Sequence, residues 1–212
     1  VSSGHATRWL YLYDLLRAFF AISGTLLGHE KSVGGFGVVV VATVTALGGG
    51  TLRDILLNKP VFWIAQPDYL YATYIAIFAS ILSIRHLPDL SNTTMLLMDA
   101  VGMAIFNIIG IEKALIGGAD MVVAITMGMT TGIFGGLMRD VICREVPLVM
   151  GEELYSTACL SGGLTYAALF TLEVSYIWCI IGAFAVTVCL RLGAIHFGWQ
   201  PNLFRKSSFK RS

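Results

Sequence analysis

Seven long apolar stretches divide this chain, and a soluble domain of its size has no core large enough to bury them all. Each approaches the ~20 mostly apolar residues that an α-helix needs to cross a bilayer. The predicted spans are residues 9–28, 35–57, 69–85, 94–111, 119–143, 153–172 and 174–192. The short connections leave no separate soluble domain. The sequence therefore predicts an all-α, polytopic membrane protein with one transmembrane domain over residues 1–212.

The composition supports this class. Hydrophobic residues make up 56% of the chain and charged residues 13%, whereas a soluble domain has about 25% charged residues. The net charge of +1 argues against a nucleic-acid binder steered by its overall charge. The four cysteines form no C-x-x-C pair, so neither a metal site nor a cofactor is expected; they are Cys143, Cys159, Cys179 and Cys189.

Basic residues near the span ends predict the orientation, because Lys and Arg accumulate in cytoplasmic loops. Seven spans put the two termini on opposite sides. Eight basic residues lie on the C-terminal side: Lys31, Arg85, Arg144, Arg191, Arg205, Lys206, Lys210 and Arg211. Three lie on the other side: Arg8, Lys59 and Lys113. The count predicts a cytoplasmic C-terminus and an external N-terminus.

A six-residue motif occurs twice. The segment G-G-T-L-R-D at residues 49–54 recurs as G-G-L-M-R-D at residues 135–140, a shift of 86. Thr45 recurs as Thr131 at the same shift. Self-similarity at a fixed offset indicates an internal duplication.

Landmarks on both sides extend the duplication. Upstream, Asp14 matches Asp99 at a shift of 85, and downstream L-Y-A-T at 70–73 matches L-Y-S-T at 154–157 at a shift of 84. Three landmarks in one order at a nearly constant offset define two copies of three spans each.

The copies cover about residues 9–85 and 94–172, followed by an extra helix at 174–192 and a basic tail at 193–212. Because three is odd, the second copy must enter the membrane from the opposite side. Inverted repeats of this kind place the sites of transporters near the midplane, where helices are interrupted.

The glycines of the motif favour such an interruption. Gly48, Gly49 and Gly50 follow one another in the second span, and Gly135 and Gly136 hold the matching place in the fifth. Glycine in a helix interior costs up to ~1 kcal/mol relative to alanine. Unwound backbone at membrane depth survives only when it is buried or lines a wet cavity, where its carbonyls can coordinate a cation. The alternative is close helix packing through small residues.

A charged pair follows the glycines in each copy. A charge at the centre of a membrane helix costs about 2.5–3.5 kcal/mol, so Arg53 with Asp54, and Arg139 with Asp140, predict a polar path through the protein. The alternative is a solvated helix end at the membrane interface. Neighbours along a helix do not face each other, and we therefore expect Asp54 and Asp140 to stay free to attract cations.

The aspartates of the first and fourth spans are the expected partners of these arginines. Asp14 has Arg17 three residues on, which allows a local pair, whereas Asp99 has no basic residue within a helical turn. Repeat symmetry predicts that Asp14 faces Arg53 and that Asp99 faces Arg139.

Two threonines are expected to line the path. Thr45 and Thr131 each lie four residues before a Gly-Gly pair, about one helical turn. A hydroxyl there can offer an oxygen to a partly dehydrated cation. The alternative is a hydroxyl bonded to the carbonyl four residues earlier, which is common in membrane helices.

The paired G-G-x-x-R-D motifs in a three-plus-three-plus-one arrangement resemble the trimeric intracellular cation (TRIC) channel family, and the compact length resembles its prokaryotic branch. The resemblance covers about residues 8–192. It implies a homotrimer with one pore per subunit, built around helix breaks at Gly48–Gly50 and Gly135–Gly136, with the first and fourth helices beside them. It also implies a monovalent permeant ion, mainly potassium.

The resemblance and the residues together leave two functions open. The first is a cation channel passing potassium or sodium. The second is a secondary carrier for a small solute such as glycine, because broken helices and inverted repeats suit both. An enzyme is not expected, since no nucleophile–base pair or metal cluster is visible. The expected partners are further copies of the chain and membrane lipids, in a prokaryotic inner membrane. Lys113 is the one basic residue between the fourth and fifth spans, so a basic lipid-headgroup site is not mapped.

Overall fold

The computed structural model of the chain describes residues 19–31, 33–86, 92–151 and 153–197. These residues form helices and turns, with no strand among them. Seven of the helices are long: α1 (residues 19–30), α2 (Gly35–Leu56), α4 (Asp68–His86), α5 (Asn92–Ile116), α6 (Met121–Ile142), α8 (Glu153–Thr171) and α9 (Tyr176–Phe197). Two are short: α3 (Phe62–Ala65) and α7 (Leu148–Gly151).

The all-α prediction is confirmed, and each predicted span overlaps one long helix. The first ten residues of the first span, 9–18, lie outside the described residues, and Asp14 is among them. Among the described helices, four are long and apolar enough to cross a membrane: Gly35–Leu56, Thr93–Ile116, Met121–Ile142 and Tyr176–Phe197. The short helices α3 and α7 were not predicted, because four residues are too few to show a hydrophobic period.

At the centre of the fold α2 and α6 touch backbone to backbone. A Cβ atom built on Gly49 would lie 2.1 Å from the carbonyl oxygen of Thr131, and one built on Gly135 would lie 2.3 Å from that of Thr45. Thr45 of α2 meets Gly135 of α6, and Gly49, later in α2, meets the earlier Thr131, so the two helices are antiparallel. Their C-terminal ends therefore lie on opposite sides of the crossing, and Asp54 and Asp140 near those ends are each about 10 Å from it at 1.5 Å per residue.

Both central helices are continuous, so the predicted breaks at Gly48–Gly50 and Gly135–Gly136 are wrong. Helix α2 runs unbroken from Gly35 to Leu56 and α6 from Met121 to Ile142. Each unsatisfied backbone group in hydrocarbon costs several kcal/mol, which outweighs the low helix propensity of glycine. At the crossing, the glycines serve close helix packing.

The flanking helices repeat the same packing at the same spacing. Helix α1 lies against α2, where a Cβ on Gly24 would be 2.8 Å from Ala42 Cα. Helix α5 lies against α6, where a Cβ on Gly110 would be 2.7 Å from Gly128 Cα. Both residues of the second contact follow those of the first by 86, so the duplication seen in the sequence is also present in the packing.

Helix α9 packs against α5 and α8, and it contains one of the basic residues from which the orientation was predicted. Arg191, counted at the end of a span, lies inside α9 and is buried. Its guanidinium carbon is 4.6 Å from the centre of the Tyr155 ring, a distance at which cation–π attraction acts. Arg191 therefore contributes to internal packing and gives no information on orientation.

Candidate functional site

The Arg-Asp pairs lie in the last turns of α2 and α6, where the chain reverses. The residues after the two C-caps, Asn58 and Arg144, have φ of 51° and 59°. The amide of Lys59 donates to the carbonyl of Asp54 at 2.8 Å, and the equivalent bond closes α6 at 2.9 Å. A left-handed residue with this six-to-one hydrogen bond is a Schellman motif, which ends a helix and satisfies its last carbonyls.

Asp54 joins the end of α2 to the start of α3. Its Oδ1 accepts hydrogen bonds from Nε and Nη2 of Arg53 at 2.8 and 2.7 Å. Its Oδ2 accepts one from the backbone amide of Phe62 at 2.9 Å. Arg53 and Asp54 are only 2% and 3% exposed, so this is a buried ion pair.

Asp140 joins the end of α6 to the start of α7 in the second copy. Its Oδ1 accepts from Arg139 Nε at 2.8 Å, and its Oδ2 accepts from the backbone amide of Leu148, the first residue of α7, at 3.0 Å. Each contact partner lies 86 residues beyond its counterpart in the first copy. In both copies the aspartate of the motif tethers a short helix to a long one.

This arrangement corrects the expectation that Asp54 and Asp140 stay free. The rule that adjacent helical residues diverge concerns the directions in which their side chains leave the backbone. An arginine side chain is long enough to fold back onto the neighbouring carboxylate, and burial favours that contact because a charge without a partner is costly there.

The predicted pairing of Asp99 with Arg139 is confirmed. Arg139 Nη1 lies 2.6 Å from Asp99 Oδ1 and also donates to Ser23 Oγ of α1. Both charged side chains are 0% exposed. Arg139 thus joins α1, α5 and the end of α6 in one buried network. The pairing of Asp14 with Arg53 stays a prediction, since Asp14 lies outside the described residues.

The second glycine of each motif makes room for this polar cluster. A Cβ on Gly136 would lie 3.1 Å from Asp99 Oδ1 and 3.0 Å from the hydroxyl of Tyr155. A Cβ on Gly50 would lie 2.7 Å from the ring of Phe62. The first glycine of the motif serves the helix crossing, and the second admits the side chains that surround the Arg-Asp pair.

The two threonines lie at the crossing with their hydroxyls engaged. Thr45 Oγ1 donates to the carbonyl of Val41 at 2.7 Å, and Thr131 Oγ1 donates to that of Met127 at 2.6 Å. This is the alternative geometry that their sequence context allowed. Each hydroxyl oxygen keeps lone pairs that can accept a further bond, so pore lining stays a prediction.

A cavity opens at each end of the α2–α6 pair. The first cavity has a volume of about 400 Å³ and adjoins the end of α2; its lining includes Asp54, Lys59, Phe62, Gln66, Lys113 and Gly117. The second has a volume of about 140 Å³ and adjoins the end of α6; its lining includes Leu27, Glu30, Lys31, Asp140, Glu145 and Leu148. Each therefore borders one motif aspartate, on opposite sides of the crossing.

An ion pair spans the second cavity. Lys31 Nζ, just after α1, lies 2.7 Å from Glu145 Oε1 in the turn after α6. The hydrogen bond to Glu145 raises the pKa of Lys31 above its ordinary value. Sequence reasoning missed this pair because it joins two loops of different repeats.

Other members of the site also escaped prediction. The amides of Phe62 and Leu148 act through the backbone, so residue type carries no signal of their role. Ser23 is one of many small polar residues in apolar helices. Tyr155 was recognised only as a landmark of the repeat, although it lies beside the Asp99–Arg139 pair.

Long apolar helices that pack around an antiparallel pair with buried charges define a polytopic membrane protein. The chain belongs to the family described as "Glycine transporter", whose model matches residues 14–85 and again residues 96–171. A UPF0126 membrane protein of Vibrio cholerae is 41% identical over 93% of this chain and 82% of its own. The UPF0126 inner membrane protein YadS of Escherichia coli K12 is 39% identical over 89% of this chain and 92% of its own. The chain is an integral membrane protein.

Solved structures confirm the resemblance to the TRIC family. The TRIC trimeric intracellular cation channel orthologue from Rhodobacter sphaeroides is 33% identical, with a TM-score of 0.82 over 90% of this chain and 98% of that one. A TRIC cation channel studied for the structural basis of its conductance is 27% identical, with a TM-score of 0.81 over 95% and 98% of the two chains.

Proposed function

We propose that the chain is a cation channel that passes potassium or sodium ions, with a complete path in each subunit of a homotrimer. The observation that carries the proposal is the pair of cavities within one chain, each bordered by a motif aspartate, at opposite ends of the α2–α6 crossing. The similar solved structures are TRIC cation channels, one of them described as trimeric, which supports both the activity and the assembly.

The proposed path runs from the first cavity past the crossing to the second. At the crossing Gly49 and Gly135 hold the backbones of α2 and α6 in contact, so opening requires these helices to separate. Separation makes room for a cation beside Thr45 and Thr131, whose hydroxyl oxygens keep lone pairs that can replace part of its hydration shell. The Arg53–Asp54 pair beside the path is neutral, and the cluster of Arg139 with Asp99 and Asp140 carries one net negative charge, so neither repels cations.

The proposed location is a prokaryotic inner membrane, as the name of the Escherichia coli relative states for that protein. Lipids would surround the trimer. The proposed orientation, with the N-terminus outside, places the second cavity on the cytoplasmic side, because Lys31 precedes α2 and lies at that cavity.

Single-channel recording tests the function. Purified protein in a planar bilayer is expected to show discrete current steps, with a reversal potential that follows the potassium gradient. Opening of a single channel produces a discrete step in current, whereas a carrier produces none. Smooth glycine uptake by proteoliposomes, without current steps under the same conditions, would establish a carrier and reject the channel.

The double variant Thr45→Val/Thr131→Val tests the path at the crossing. Valine keeps the shape of threonine and removes the hydroxyl, so we expect a loss of conductance of about twofold or more from the loss of two cation-binding oxygens. Thr130→Val is the control, since Thr130 lies in α6, is only partly buried and makes the same bond to the carbonyl four residues earlier. An unchanged conductance in the double variant would exclude these hydroxyls from the path.

A further inference from the structure

The two cavities occupy equivalent places in the two repeats but differ in charge. Of the described residues, Lys59 and Lys113 join Asp54 in lining the first cavity. Three carboxylates line the second, with Lys31 the one basic residue among its described neighbours. Under the shift of 86, Lys59 corresponds to Glu145. The repeat thus preserves the cavity and reverses the charge of one of its walls.

Two pairs of residues related by the shift of 86 are in contact, one pair at each cavity. At the second cavity the pair is Lys31 and Glu145, whose charged atoms lie 2.7 Å apart. At the first the pair is Gly117 and Lys59, where a Cβ on Gly117 would lie 3.8 Å from Lys59 Cε. The first cavity therefore has Lys59 beside an uncharged glycine, whereas the equivalent place at the second cavity has Glu145 beside a lysine.

We propose that Lys59 and Glu145 make conduction asymmetric, so that a larger current flows when cations enter from the second cavity than when they enter from the first. Charge on the wall of a confined entrance changes the local concentration of permeant ions. The motif ends lie about 20 Å apart along the helices, twice the Debye length of ~10 Å at 0.1 M salt, so each entrance responds mainly to its own charges. The inference rests on the proposed channel function.

The test measures the current–voltage relation of single channels in symmetric potassium chloride. At about 0.1 M salt the currents at equal and opposite voltages are expected to differ by up to about twofold, the unscreened effect of one unit charge about 10 Å from an ion in water. At about 1 M, where the Debye length is ~3 Å, the relation is expected to approach a straight line.

Two charge-reversal variants separate the effects of Lys59 and Glu145 on the current, and neither test requires a known orientation of the protein in the bilayer. Lys59→Glu makes both entrances acidic, so the relation is expected to become linear with a higher conductance. Glu145→Lys makes both basic, so it is expected to become linear with a lower conductance. The double variant Lys59→Glu/Glu145→Lys is expected to restore the asymmetry. Both side chains belong to exposed turn residues, and Glu145→Gln serves as the milder form of the second change.

Glu173→Lys is the matched control. Glu173 is exposed in the turn between α8 and α9 and is absent from the lining of both cavities, so its reversal is expected to leave the relation unchanged. A linear relation for the unaltered protein at low salt, or an asymmetry untouched by Lys59→Glu and Glu145→Lys, would overturn the inference while current steps still supported the channel. If no variant shows current steps, the proposed function fails and the inference fails with it.

Discussion

Replacing Gly49 with alanine is expected to destabilise the protein by about 3 kcal/mol, the upper end of the usual range for overpacking. The added Cβ would lie 2.1 Å from the carbonyl oxygen of Thr131, and a backbone atom in a packed helix cannot move aside cheaply. Gly135→Ala is expected to cost a similar amount, because its Cβ would lie 2.3 Å from the carbonyl oxygen of Thr45. Unfolding of the protein in micelles titrated with sodium dodecyl sulfate measures both.

Gly48→Ala is the matched control for Gly49→Ala. A Cβ on Gly48 would make ordinary contacts, at 3.8 Å to Val44 and 3.9 Å to Phe134. It should stabilise the helix by up to ~1 kcal/mol through helix propensity. Equal losses at positions 48 and 49 would mean that these glycines supply flexibility, and the close-packing explanation would be wrong.

Arg139→Met is expected to cost about 3–5 kcal/mol, because it leaves buried carboxylates without their cation. Asp99 loses a contact of 2.6 Å and Asp140 one of 2.8 Å. The exposed Arg144 is the control, since its replacement by glutamine should change stability by less than about 0.5 kcal/mol.

The double variant Asp99→Asn/Arg139→Met identifies the pair directly. Removing the charge of Asp99 together with that of Arg139 should recover about 1–3 kcal/mol relative to the summed losses of the single variants. The recovery is expected to be incomplete because Asp140 still lacks its partner. Additive losses in the same micelle titration would show that Asp99 and Arg139 do not interact energetically.

Much of the fold could be predicted because it follows from the order and spacing of residue types along the chain. Apolar stretches of membrane length are visible without any tertiary information. For α5 and α6, three of the four predicted ends lie within two residues of the observed ends. The pairing of Asp99 with Arg139 was also predictable. An aspartate without a local partner in an apolar helix needs a cation from another helix, and the repeat indicated which one.

The site was less predictable, because several of its contacts use the backbone. Asp54 binds the amide of Phe62, and Asp140 binds that of Leu148. An amide is present at every residue except proline, so no residue type marks it as a partner. The tethering role of the motif aspartates becomes visible only once α3 and α7 are located.

By itself the sequence determined the membrane class of this protein, its duplication and the buried charges that must be paired, since each follows from residue type and spacing. The tertiary structure alone decided what the glycines do. A run such as Gly48–Gly50 is compatible with an unwound turn or with a tight crossing, and the local chain does not distinguish them. The choice depends on whether another backbone occupies the space that the missing side chains leave, and in α2 the carbonyl of Thr131 occupies it.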